Sequence, residues 1–158
     1  MKQAMGGAIL AAALAAAAPA CAGAMSGNPA LAFAALVGLQ APRLPAADKH
    51  ILSAFLAGDT AFASSDAPFR VTSEEVHCRS SDVDITEHVC TLAFGSVAVE
   101  LSGREGNALL ATMALAGVPS DGAAGSIHYD AKAVTCTIDP AAVKSKAGGG
   151  AQCSYSQD

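Results

Sequence analysis

Cys78 and Cys90 bracket the turn between two runs of alternating residues, and a third such run follows at once. From Phe69 to Leu101 the chain reads FRVTSEEVHCRSSDVDITEHVCTLAFGSVAVEL. Val97, Val99 and Leu101 alternate with Ala98 and Glu100, and Leu92 and Phe94 flank Ala93. A period of two puts every second side chain on one face of a strand. The stretch therefore predicts a three-stranded antiparallel meander tied by a disulfide. The same alternation sends Glu74 and Glu75 to opposite faces, so they form no carboxylate pair. No reacting group stands out.

How the cysteines pair depends on where the folded chain begins. Lys2 precedes an apolar, alanine-rich run from Gly6 to Ala18, and small residues then lead to Ala22-Gly23-Ala24. This is the plan of a cleavable export leader over residues 1–24, cut after Ala24 or after Ala22. Its apolar run is shorter than the ~20 residues that span a bilayer, so no stable membrane insertion is expected after processing. Ala18-Pro19-Ala20 matches poorly the context of a lipid-modified cysteine, and Cys21 is read as lost with the leader rather than as a lipoprotein anchor.

Four of the five cysteines then remain: Cys78, Cys90, Cys136 and Cys153. An even number in an exported chain implies a disulfide framework. Three connectivities are open. The local pairs Cys78–Cys90 and Cys136–Cys153 are favoured because each closes one loop between adjacent elements, with about 3 kcal/mol of loop entropy apiece. A tight turn at Ser80-Ser81 would set Cys78 against Val83, so the first pair requires a protruding loop over 79–89.

Removing residues 1–24 takes 24 of the 158 residues, and Lys2 with them. That leaves 134 residues with eight Lys and Arg against fourteen Asp and Glu, a formal charge of −6. This length is enough for one domain, 25–158, with a real core. An acidic surface argues against nucleic acid and anionic membrane as partners. Tryptophan is absent, which removes the usual stacking platform for sugars and bases.

Around the meander, the remaining elements follow from local signals. Asn28-Pro29 starts a helix whose apolar stripe ends before Pro42. Pro45 and Asp48 open a second, closed by Gly58, and the two form a helical hairpin over 25–58. A small-residue linker, 59–68, has Phe62 as its one anchor. Ser102 and Glu105 fit a capping box ahead of a nearly all-apolar helix over 103–116, the candidate central helix on the sheet. A glycine-rich loop, 117–125, leads to a strand over 126–138. Asp139-Pro140 starts a short helix to about Lys146, and a last strand covers 151–155. The order predicts an α+β domain: helical hairpin, antiparallel β-meander on a buried helix, and two closing strands. It resembles the architecture of small secreted protease- and β-lactamase-inhibitor proteins, a likeness of layout that carries no motif and no residue.

Candidate chemistry is sparse. His77-Cys78 and His88-x-Cys90 have metal-binding residue types, yet bridged cysteines leave only two histidines. Asp82, Asp84 and Glu87 crowd one loop but miss the calcium-loop pattern, and Val83 and Ile85 between them suggest a charged strand edge. Pro119-Ser120-Asp121-Gly122 lacks the glycine of a nucleophile elbow. A dispersed hydrolase site from Ser120 or Asp121 with His128 is one alternative. A metal site from His77, His88 and the 82–87 acids is another. The reading that fits best is a non-catalytic periplasmic or secreted module, without a cofactor, that binds an envelope or secreted protein. Loops 79–89 and 117–125 are its expected contact surfaces, with Pro119, Ser120 and Asp121 as a candidate binding loop.

Overall fold

The computed structural model describes residues 22–59, 67–81, 83–84, 86–120, 126–145 and 149–157. Six strands and four helices follow in the order β1 (Ala22–Ser26), α1 (Gly27–Gln40), α2 (Ala46–Leu56), β2 (Phe69–Ser80), β3 (His88–Phe94), β4 (Val97–Leu101), α3 (Gly103–Leu115), β5 (His128–Ile138), α4 (Pro140–Lys144) and β6 (Ala151–Ser156). The strands form one antiparallel sheet, β1-β6-β5-β2-β3-β4. The α+β architecture and the meander are as the alternation required. Both favoured local disulfides, Cys78–Cys90 and Cys136–Cys153, are present, each joining residues directly opposite in register.

The first bridge has the long connection it needs in place of a tight turn at Ser80-Ser81. β2 runs on to Ser80 and β3 begins at His88, so residues 81–87 connect the two strands. Asp84 shapes this loop by accepting from the Thr86 backbone N–H at 2.9 Å and the Thr86 hydroxyl at 2.7 Å. Val83, Asp84, Thr86 and Glu87 belong to no strand, so the charged strand edge that the alternating acids suggested does not form at them; Asp82 and Ile85 lie outside the described residues.

Both main helices lie on one face, α1 against α3, α2 and β6, and α3 against β3. Their burial differs from expectation. α1 is the helix buried most, with Phe33, Ala34, Ala35 and Val37 sealed from solvent. α3 buries one face, Gly106, Leu109, Leu110 and Met113, while Leu115 is 77% exposed. An almost all-apolar sequence still has a solvent side, because alanine is cheap to expose. Ser102 makes no side-chain cap on α3. Glu87 from the 81–87 loop accepts from the Gly103 N–H instead, at 3.0 Å.

Ala22–Ser26, read from the sequence as the leader's end and the first residues after it, forms an edge strand. All five of its positions pair with β6, and Met25 is 3% exposed. Nothing in the string AGAMS marks a strand; the partner makes it one.

Candidate binding groove at the open edge of β2

The sheet has a seam. Along β2 the buried side chains are Val71 and Ser73, then Val76 and Cys78; along β5 they are Ala131, then Val134, Cys136 and Ile138. Both strands therefore slip their alternation by one residue at the same place. Register is continuous from Phe69↔Ile138 to Arg79↔His128 except at Glu74 and Ala133. Ala133 adopts φ 48, the one non-glycine residue in the left-handed region among those described, a conformation an L side chain adopts at a cost. A bulge on each strand accounts for the slip. Glu74 is exposed and Glu75 half-buried. Ser73, 3% exposed, is satisfied at the seam: its hydroxyl donates to the carbonyls of Glu75 and Ala93, each at 2.9 Å.

At this seam β2 loses a neighbour. Pairing with β3 stops at Glu75↔Ala93, because the β3–β4 hairpin turns back at Gly95 (φ +63). Phe69–Ser73 is thus held by β5 on one side only. The direction of its main-chain groups follows from the disulfide across β5 and β6. Cys136 and Cys153 have Cα atoms 4.0 Å apart, the narrow pair type without mutual hydrogen bonds. Cys136 therefore turns its N–H and C=O toward β2, where Val71 faces it. Arg70 and Thr72, one residue to either side, turn theirs to the open edge.

A cleft of about 540 Å³ lies along that edge, between Arg70–Glu74, the hairpin tip at Phe94-Gly95, and the α1–α2 connection at Ala41–Pro45. Its walls mix Leu44, Val71 and Phe94 with two cations, Arg43 and Arg70, and two anions, Asp48 and Glu74. None of these four charged groups forms an ion pair among the described residues. Unpaired charges of both signs around a partly apolar cleft, beside a free strand edge, suit an extended polypeptide better than a small molecule of one sign.

The residues singled out from the sequence lie elsewhere. His77 and Asp130 meet on the helix-free face, Nδ1 to Oδ1 at 2.5 Å, and His128 packs edge-on to the His77 ring at 5.7 Å. His88 sits under α3 with Nδ1 3.0 Å from Asn107 Oδ1. The two histidines thus serve separate contacts, and no three His, Cys, Asp or Glu side chains gather for a metal among the described residues. Pro119 and Ser120 are exposed, and Ser120 forms a single bridge with Tyr129. Asp121 lies outside the described residues. No hydrogen bond joins Ser120 to His128 among the described residues. From Tyr129 to the seam at Ala133 is roughly 13 Å of strand, which separates Ser120 from the cleft. No family model, no curated protein and no solved structure matches the chain.

Proposed function

We propose that the protein is an exported, disulfide-locked binding module that captures an extended segment of a partner protein on the open edge of β2. The observation that carries the reading is the loss of β3 as a neighbour at Glu75, which frees the main chain of Arg70 and Thr72 beside the cleft. Strand addition uses such an edge for affinity and alternate side-chain pockets for specificity. Arg43 and Arg70 would receive an acidic side chain of the guest, and Asp48 and Glu74 a basic one. Two cross-strand disulfides suit folding in an oxidising compartment, in keeping with a periplasmic or secreted site of action. The contact surface in this reading is the strand edge rather than loops 79–89 and 117–125.

The test is a displayed peptide library selected against the oxidised protein, with hydrogen exchange on the winners. Bound peptides should protect the amides of Arg70 and Thr72. Thr72→Pro removes a donor from the open side without costing a ladder bond, and should weaken binding about tenfold or more, the ~1.4 kcal/mol of one main-chain hydrogen bond. Thr72→Ala should bind normally. A library that yields no binder, or binders that protect other segments, defeats the proposal.

A further inference from the structure

Three Ala-x-Ala triplets overlap at the end of the alanine-rich run: Ala18-Pro19-Ala20, Ala20-Cys21-Ala22 and Ala22-Gly23-Ala24. The small-residue requirement of leader cleavage therefore permits three bonds. The fold distinguishes them. A cut after Ala24 removes three of the five residues of β1 and places a charged ammonium on Met25, whose side chain is 3% exposed in the core. It also strips Gly23 from Tyr155. The two residues are paired in register, and the tyrosine ring lies so close that a β-carbon at residue 23 would come within 2.1 Å of Cζ. Only glycine lets that ring close over the strand, which leaves Tyr155 5% exposed. Gly23 is thus part of the packed structure. A cut after Ala20 keeps β1 whole but leaves Cys21 as a fifth sulfur when the other four are paired, an odd thiol in an oxidising compartment.

We infer that the leader is cut after Ala22 and that the folded protein begins at Gly23. This keeps four of the five paired residues of β1, including both that pack, and discards the unpaired cysteine. The inference rests on residues 1–22 acting as an export leader.

The test is export of the full chain from a bacterial host, with intact mass and N-terminal sequencing of the product. Gly23 is the first residue expected. Ala24→Glu places a charge next to the downstream bond, at an exposed position of an edge strand, and should leave the start and yield unchanged. Ala20→Glu should abolish the Gly23 start. A product beginning at Met25 or at Cys21 overturns the site while leaving the leader reading intact; an exported but uncleaved chain overturns both. As a structural arm, chains refolded from Gly23 and from Met25 should differ in Tm by about 5 °C or more in favour of the longer one. Equal melting would remove the physical reason for the site.

Discussion

The seam at Glu74 and Ala133 divides the sheet into two halves that use the same covalent device under different surfaces. One half, β1-β6 with the ends of β5 and β2 next to them, lies under α1 and is tied by Cys136–Cys153. Its outer face is mostly uncharged, with Thr72↔Thr135, Thr135↔Ser154 and Thr137↔Gln152, and carries one cation, Arg70, opposite Thr137. The other half, β3-β4 with the opposite ends of β2 and β5, lies under α3 and is tied by Cys78–Cys90. Its outer face is ionic, with Glu75↔Lys132, His77↔Asp130 and Arg79↔His128 directly opposed. The difference teaches that the disulfides do not mark a site. Each braces a pair of strands wherever the surface above it leads, and the cleft beside Arg70–Glu74 opens at the seam.

The largest expected effect tests whether the halves share one core. Phe33, under the first half, and Leu109, under the second, are both fully buried in a single cluster. Phe33→Ala should cost about 4 kcal/mol and Leu109→Ala about 3 kcal/mol. Each variant should still unfold in urea in one transition, with coincident circular dichroism and fluorescence midpoints. Two separated transitions would make the halves independent units. Leu115→Ala, on the solvent side of α3, should stay within about 0.5 kcal/mol of the parent.

Next in size are the two bridges. Their sequence separations, 12 and 17, differ too little for loop entropy to tell them apart, and each should contribute about 3 kcal/mol. Removing Cys78 with Cys90, and separately Cys136 with Cys153, should therefore lower urea stability by amounts equal within about 1 kcal/mol. A much larger loss from Cys136–Cys153 would show that β6 relies on its bridge for packing β1 and α1, and the entropic account would fail for that half.

Close backbone approach provides a third contrast. Gly106 of α3 lies so near the end of β3 that a β-carbon there would sit 2.2 Å from the His88 carbonyl oxygen and 2.8 Å from that of Leu101. Both obstacles are main chain and cannot rotate away. Gly106→Ala should cost about 2 kcal/mol, read as a lower urea midpoint with unchanged slope. A neutral result would mean that α3 is free to lift off the sheet, as α1 is not.

What could be read from the chain and what could not divide along physical lines. The strands of the meander, the two bridges and the short α4 were legible because period, parity and the Asp139 cap are local signals; Asp139 does accept from the Ala141 and Ala142 N–H groups. β1 was not legible, since AGAMS has no pattern of its own and only β6 makes it a strand. The capping of α3 by Glu87 was hidden behind a plausible local capping box. The cleft could have been suspected from one irregularity: Val71-x-Ser73 and Val76-x-Cys78 lie on tracks out of phase by one residue, the signature of a bulge. Arg43 and Arg70 carried no signal at all, because a lone arginine in a loop or strand reads as surface until the fold places two of them around one cleft.

The smallest expected effects are in pH, and they run in opposite directions in the two halves. In the ionic half, hydrogen bonds from the Thr86 hydroxyl and backbone N–H hold the Asp84 carboxyl below its ordinary value. A folded-state value below the unfolded one contributes stability that is present above the unfolded value and lost as pH falls through the folded one. Thr86→Val should return Asp84 toward the ordinary range in a carboxylate-detected NMR titration, with little change in stability, since the loop is exposed. In the other half, burial against Gly23 raises the Tyr155 hydroxyl above the ordinary tyrosine value. Here the unfolded chain ionises first, so stability is unaffected below the ordinary value and declines as pH rises through the folded one. Ultraviolet titration should show a late phenolate component that Tyr155→Phe removes, and the variant should lose less stability than the parent at alkaline pH. If Tyr155 ionised together with a free tyrosine, β1 would not be covering it, and the half that depends on Gly23 would be open at its edge.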